Sequence, residues 1–393
     1  MKKLVKILIC FSLCFCFFLT SGCLNNPSST ISNSTDNSGS NQFNNEVTHT
    51  TPIEVSSSTP RSEIVEDYLS AVATIYYTYT NNNTTSSIYS GSGVAVYAGG
   101  YIATNWHVIS EVVVGSSGYG LQVEILLDGE YQKFNAKLLW ENVNFDLAIL
   151  RCDYHNIPYV KMQDRWINSD NRLKITEEVW TLGTPYDESL FGSYSSGYIS
   201  SNQERVSIAS QRVYESLIQH SAPISNGSSG SGLFDSAGNL VALNTLGINS
   251  SSSNSANSLF FATPIYPIQN IISQIVQLEE DNNPNTNYSF PLIGVTGYDS
   301  YMAEYYSDLG DFSDNGVYVG EISNPGTAIG KLEVGDVIIG ICGKDSNLDS
   351  EDYFQIDKRN DLLYALSQYK SGDEIKVFYK RGNVSNFVNI VLG

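Results

Sequence analysis

Three short stretches carry residues whose types can do chemistry together. A histidine lies in Thr104-Asn105-Trp106-His107-Val108-Ile109, and an aspartate in Asn144-Phe145-Asp146-Leu147-Ala148-Ile149-Leu150. A serine lies in Ser225-Asn226-Gly227-Ser228-Ser229-Gly230-Ser231-Gly232-Leu233. A serine hydroxyl becomes a useful nucleophile when a neighbouring base takes its proton. Imidazole titrates close enough to neutral pH to be that base. A carboxylate on its other nitrogen fixes the tautomer. Taken singly, each has a blander reading: a structural histidine after a strand, an aspartate leading into one, a flexible Gly-Ser loop. Their joint presence points to nucleophilic acyl transfer, with Ser229 as nucleophile, His107 as base and Asp146 as orienter.

Chain order narrows the class. Histidine, aspartate, serine is the order of a chymotrypsin-type triad. The rival elbow of α/β-hydrolases needs serine, then acid, then histidine. All four histidines, His49, His107, His155 and His220, precede Ser229, and Ser231 stands where the elbow needs a second glycine. Gly227 permits a tight turn that aims the N–H groups of Gly227, Ser228 and Ser229 inward as an oxyanion hole. Loss of one such donor typically costs about 3 kcal/mol in the barrier.

The surrounding elements must hold these loops apart in sequence and together in space. Strand-like runs cover Ala71–Tyr79, Gly93–Tyr97, Gln122–Leu127, Leu147–Cys152 and Val179–Leu182, with Gly, Asn and Ser between them. This alternation predicts a mostly β architecture over residues 63–278. A helical pattern is read only near its end, from Ile268 to Leu278.

The segment resembles the HtrA/DegP family of trypsin-fold serine proteases. Ser92-Gly93-Val94 and Tyr101 to Ile109 are similar to the family's histidine segment, and Asp146 to Leu150 to its aspartate motif. Leu182-Gly183-Thr184-Pro185, Ser196-Gly197-Tyr198-Ile199-Ser200 and Phe261-Ala262-Thr263-Pro264-Ile265 match further landmarks. Asn226-Gly227-Ser228-Ser229-Gly230 resembles the nucleophile loop. The resemblance implies a chymotrypsin/trypsin-like double β-barrel. The chain departs from the family at Ser231-Gly232, where Gly-Pro is usual, and at His220 to Ile224, where an acid is usual. Pro223 and Ile224 fall where such enzymes build the floor of the specificity pocket. With no carboxylate there, cleavage after small or medium apolar residues is expected. Ser228, not aspartate, precedes the nucleophile, so no digestive-type zymogen step is expected. Control then falls to loops such as Pro185 to Tyr194.

Residues 279–288 read as an Asn-rich acidic linker. Beyond it, strands are expected at Gly316–Ile322, Asp336–Ile341, Glu374–Tyr379 and Phe387–Leu392, with a helix over Asp361–Tyr369 capped by Asn360 or Asp361. Residues 289–393 resemble a small α+β PDZ domain of the HtrA type, through Leu332 to Ile338, Ile341-Cys342-Gly343-Lys344 and Asp361-Leu362. Leu292-Ile293-Gly294-Val295 looks like its carboxylate-binding loop, where successive N–H groups make an anion nest. A carboxy-terminal peptide would add there as a strand.

The chain has 393 residues and a net charge of −20. That charge repels phosphate, so nucleic-acid binding is not expected. Of six cysteines, Cys10, Cys14 and Cys16 lie in the apolar start and Cys23 follows it. Cys152 and Cys342 fall in different domains, so neither a disulfide framework nor a metal spacing is read, and no cofactor is called for. Residues 1–22 read as a signal peptide, basic at Lys2, Lys3 and Lys6 and apolar from Ile7 to Leu19. Leu19-Thr20-Ser21-Gly22-Cys23 looks like a bacterial lipobox, with Cys23 the lipidated residue and Thr20 its departure. Residues 23–62, rich in Ser, Thr and Asn, are expected to be a disordered tether.

These readings imply a serine endopeptidase of the bacterial cell envelope, lipid-anchored on the extracytoplasmic side. The family resemblance adds unfolded or misfolded envelope proteins as substrates, and a homotrimer. Two alternatives stay open: a protease-fold chaperone, and a PDZ peptide-sensing adaptor with little proteolytic activity.

Overall fold

Twelve strands close into two six-stranded antiparallel barrels. The computed structural model describes residues 46–393 except 82–83, 114–117, 144, 167–170, 209–211, 250–257, 281–290, 300–314 and 324–325. The leader, Cys23, the first part of the tether and most of the linker lie outside the described residues. The first barrel holds β1 (Val72–Asn81), β2 (Thr84–Tyr97), β3 (Tyr101–Thr104), β4 (Tyr119–Leu127), β5 (Glu130–Asn142) and β6 (Leu147–Cys152), in the order β1-β2-β3-β6-β5-β4. The second holds β7 (Glu178–Gly183), β8 (Ser193–Ile208), β9 (Arg212–His220), β10 (Gly232–Asp235), β11 (Leu240–Asn249) and β12 (Ser258–Pro264), in the order β10-β11-β12-β9-β8-β7. The mostly β architecture expected from the alternating pattern, and the double barrel implied by the family resemblance, are therefore present. Closure leaves no free sheet edges. β4 shows why the pattern was readable. Its inward residues Leu121, Val123, Ile125 and Leu127 are buried, and their neighbours are less so.

Two helices precede the final one, where the sequence pattern showed none. α1 (Arg61–Tyr68) buries only Ile64 and Tyr68. Tyr68 makes the difference: it donates to Gly238 O at 2.8 Å and packs on Trp180 and Phe234, whose rings stack at 4.3 Å. α2 (Trp106–Val113) is rich in β-branched residues, which are weak helix formers. Burial of Val108 and Ile109 overrides that weakness. α3 (Tyr266–Glu280) is the expected last helix, slightly longer than its apolar pattern.

The expected tether is not free along its last part. Ile53 N–H donates to Tyr159 O at 2.8 Å, Tyr159 Oη donates to Thr50 O at 3.1 Å, and Thr48 N–H donates to Asn156 Oδ1 at 2.8 Å. Ile53 and Val55, apolar exceptions in a polar run, are half-buried. Composition averaged over residues 23–62 hid them.

The carboxy-terminal sheet holds β13 (Val295–Asp299), β14 (Val317–Ile322), β15 (Val337–Gly343), β16 (Phe354–Gln355), β17 (Glu374–Arg381) and β18 (Val384–Val391). Its order is β13-β14-β15-β17-β18, with β16 on β15. α4 (Arg359–Ser367) lies against β13. It starts before the expected capping residues: Lys358 is the cap position, and Asp361 reaches back to accept from Lys358 N at 3.1 Å and Asp357 N at 3.0 Å. α4 also meets α3. Asn270 Nδ2 donates to Ser367 Oγ at 2.7 Å, and the Tyr266 and Tyr364 rings meet edge-on at 5.8 Å. Among the described residues, no helix is long and apolar enough to cross a membrane.

Candidate active site

His107 is the second residue of α2, directly after β3. The helix start is anchored by Trp106, whose Nε1–H donates to Glu141 Oε2 at 3.1 Å. Burial pushes the Glu141 carboxyl up, and the indole bond opposes that shift. Asp146 sits just before β6, fully buried, with a φ of +55°. That left-handed backbone turns its carboxylate onto the imidazole. Oδ1 accepts from His107 N–H at 3.0 Å, and Oδ2 faces His107 Nδ1 at 2.8 Å. A carboxylate can only accept, so the proton belongs on Nδ1 and the Nε2 lone pair is left as a base. Thr245 Oγ1 donates to the same Oδ2 at 2.7 Å.

Ser229 lies in the loop before β10. Its Oγ donates to Thr245 O at 3.1 Å and makes no bond to His107. Rotation about χ1 is therefore required before the hydroxyl can hand its proton to the base. The loop backbone is pinned around it. Ser229 O accepts from Ser92 N at 2.9 Å, and Ser231 N–H donates to Ser228 O at 2.9 Å. Gly230 N–H donates to Asn105 Oδ1 at 2.7 Å and to Asn244 O at 2.9 Å.

The expected oxyanion donors do not all survive. Ser228 N–H is spent on Ser225 O at 2.9 Å, closing the turn that displays the serine. Among the described residues, the N–H groups of Gly227 and Ser229 have no acceptor. These two, not three, remain for a developing oxyanion. The orientation of Gly227 N–H has a visible cause. Tyr186 N–H donates to Asn226 O at 2.6 Å. In a planar trans peptide the carbonyl and the next N–H point in opposite directions. Holding the Asn226 carbonyl toward Tyr186 therefore aims Gly227 N–H away from it. Gly227 has a φ of +85°, and a side chain there would overlap the Tyr89 hydroxyl.

Pro223 lines a cavity of about 160 Å³ with Thr181, Ser195, Ser225 and Ser228, and no carboxylate lines it. Ile224 is half-buried and is not in that lining. In the carboxy-terminal domain, Ile293 is buried, Leu292 half-exposed, and Gly294 has a φ of +76°. Gly294 O accepts from Ser323 N at 2.9 Å, and Leu292 and Gly393 exchange main-chain bonds at 2.9 and 3.2 Å. β13, which begins at Val295, is an outer strand of its sheet.

Sequence reasoning missed Asn105, Thr245 and Tyr186. Asn105 stood inside the histidine motif and only its neighbour was singled out. Thr245 acts from an irregularity in the β11–β12 pairing and Tyr186 through a backbone N–H, which no residue spacing announces.

Residues 91–243 match the family model of a trypsin-like peptidase domain. The double barrel is thus similar to a trypsin-like peptidase domain, in sequence over residues 91–243 and in its two closed six-stranded barrels. A Do-like HtrA serine protease of Lactobacillus helveticus is 28% identical over 298 residues, 74% of this chain and 65% of the relative. The serine endoprotease DegS of Haemophilus influenzae is 30% identical over 253 residues, 63% of this chain and 64% of the relative. The chain thus spans just under two thirds of these relatives. Both relatives are described as serine proteases, one Do-like HtrA and the other DegS. A solved HtrA-type protease, AlgW with a decapeptide, superposes with a TM-score of 0.58 at 22% identity, covering 85% of this chain and 98% of that one. It agrees in fold.

Proposed function

We propose that this chain is an extracytoplasmic serine endopeptidase that degrades unfolded or misfolded envelope polypeptides. The observation that carries it is the buried Asp146 carboxylate on His107 Nδ1, beside Ser229 and two N–H groups without acceptors. Ser229 Oγ would attack the scissile carbonyl carbon while His107 Nε2 takes its proton. Gly227 and Ser229 N–H would bind the oxygen as it becomes negative. The imidazolium, held by Asp146, would then protonate the leaving amine, and water would release the acyl group by the same route. Pro223 and the hydroxyl-lined cavity beside it favour small or medium apolar side chains over basic ones. A relative of Rickettsia prowazekii described as a probable periplasmic serine endoprotease supports an extracytoplasmic setting.

The carboxy-terminal domain is read as a PDZ module. A peptide would add beside β13, facing α4, with its carboxylate at Leu292-Ile293-Gly294-Val295. Cys23 is read as the lipid attachment point and the assembly as a homotrimer.

A serine-directed fluorophosphonate tests the peptidase reading. Wild type should be labelled and should degrade casein, and Ser229→Ala should do neither. Absence of labelling in wild type would favour a chaperone that only holds unfolded chains. Strong preference for Arg or Lys before the cut bond would refute the pocket assignment. Mass spectrometry of the mature amino terminus decides lipidation at Cys23.

A further inference from the structure

The loop that orients the oxyanion peptide is itself held from the first barrel. Tyr186 has a φ of +60°, rare for a bulky residue. Asp187 N–H returns to Pro185 O at 2.7 Å, so the three residues form the strained, positive-φ kind of γ-turn. Such a turn persists only where its surroundings over-determine it. One short 3-10 turn follows, Glu188–Leu190, whose Ser189 N–H donates to Asp187 Oδ1 at 2.8 Å.

Glu188 ties this loop to three barrel strands. Tyr76 of β1 places its Oη 2.7 Å from Glu188 Oε2 and 3.0 Å from Glu124 Oε2 of β4. One phenol proton thus faces two carboxylates. Lys133 of β5 offsets their charge: its Nζ lies 3.4 Å from Glu188, 3.6 Å from Glu124 and 3.8 Å above the Tyr76 ring. Tyr76 is buried and meets Tyr89 edge-on at 6.2 Å. Tyr89 Oη donates to Thr184 O and lies against Gly227. The Tyr76 hydroxyl holds the Glu188 carboxyl below its ordinary range.

We propose that Glu188, Tyr76, Lys133 and Glu124 form a latch that keeps Tyr186 N–H on Asn226 and so keeps the oxyanion hole formed. They are positioning residues and touch no reacting atom. When Glu188 is released, Tyr186 relaxes toward a commoner backbone conformation, its N–H leaves Asn226, and the 226–227 peptide is free to turn over. The effect on rate rests on the peptidase reading above. The coupling of the two loops does not.

The test uses the full chain and three variants, Glu188→Gln, Lys133→Met and Lys133→Arg. Glu188 is 58% exposed in its side chain, so its replacement leaves the fold intact and a modest effect is expected. Glu188→Gln and Lys133→Met should slow fluorophosphonate labelling about fivefold, the size of one charge-assisted bond after solvent screening. On a peptide substrate kcat should fall by a larger factor than KM rises, because the Gly227 N–H that the latch orients acts on the developing oxyanion. Amide exchange should quicken both in 184–190 and in 225–229, and Lys133→Arg should restore wild-type values. Faster exchange in 184–190 alone, or a rise in KM at constant kcat, would overturn the latch. If wild type is not labelled at all, the peptidase reading fails, and exchange in 225–229 still decides the latch.

Discussion

Asn105 and Gly230 are joined by a 2.7 Å bond from a backbone N–H to a side-chain oxygen. The same carboxamide donates from Nδ2 to Asp146 O at 2.9 Å. One fully buried side chain therefore braces the acid's loop in the first barrel against the nucleophile's loop in the second.

Asn105→Ala should damage both loops at once. It leaves the Asp146 carbonyl without that donor and takes one of two acceptors from Gly230. A buried polar group left unsatisfied costs about 1–3 kcal/mol. Thermal unfolding should fall accordingly, and labelling of Ser229 should slow. Asn105→Asp should not rescue, because a carboxylate can replace the acceptor but not the Nδ2 donor. Rescue by Asp would show that the brace to Asp146 is dispensable.

Thr245→Val tests the second partner of the acid. Valine keeps the volume but removes the hydroxyl that donates to Asp146 Oδ2 at 2.7 Å. Asp146 would still hold His107, but with one donor fewer on a buried charge, a loss of about 1.5–3 kcal/mol. kcat should drop by roughly tenfold if about half of that loss reaches the transition state. Thr245→Ser should retain most of the activity. Equal activity of the Val and Ser variants would remove Thr245 from the site.

The two lessons differ in how legible they were. Asn105, like His107, Asp146 and Ser229, lies in a motif that chain order exposes, and the β architecture follows from alternation that β4 displays plainly, whereas its closure into two barrels was implied only by the family resemblance. Thr245 is silent in sequence: it is the residue left out of the β11–β12 register, at the irregularity between Asn244 and Leu246, and its hydroxyl reaches the carboxylate from there. Ser228 misled for the opposite reason. Its position beside the nucleophile suggested a third donor, whereas the tight turn consumes its N–H on Ser225 O. The short helices α1 and α2 were hidden because tertiary packing, rather than intrinsic propensity, makes them.

His220 gives the second barrel an acid limit. It is fully buried, stacks on Phe260 at 6.2 Å, and its ring nitrogens make no well-formed hydrogen bond among the described residues. Burial lowers its pKa to about 4, with weaker opposition from the Ala222 backbone and then the Asn244 side chain. The unfolded chain takes up a proton below about pH 6.5, whereas the folded chain resists until about 4. Stability is therefore fully present above pH 6.5 and declines as the pH falls toward 4. The loss reaches roughly 3 kcal/mol from this one group. In denaturant melts wild type should lose stability as the pH falls from 7 to 4, while His220→Leu, which has no group to titrate there, should lose about 3 kcal/mol less over the same window. A wild-type curve flat over the same range would refute the assignment.

Tyr266 faces two ways, and its two contacts should separate by mutation. Toward the site, its ring meets Phe145 edge-on at 5.9 Å, one residue from Asp146. Toward the carboxy-terminal domain, it meets Tyr364 of α4. Tyr266→Ala removes both and opens a hole in a fully buried position. It should cost about 3–5 kcal/mol, as large aromatic truncations do, and should slow labelling of Ser229 because Phe145 loses its support. Tyr364→Ala removes only the outward contact. The side-chain bond from Asn270 to Ser367 still joins α3 to α4. Amide exchange in α4 should quicken, while labelling of Ser229 stays within about twofold of wild type, since edge-on ring pairs contribute only about 1 kcal/mol and this one is remote from the acid. If Tyr364→Ala slows labelling as much as Tyr266→Ala, the carboxy-terminal domain supports the triad directly, and the division of labour at Tyr266 is wrong.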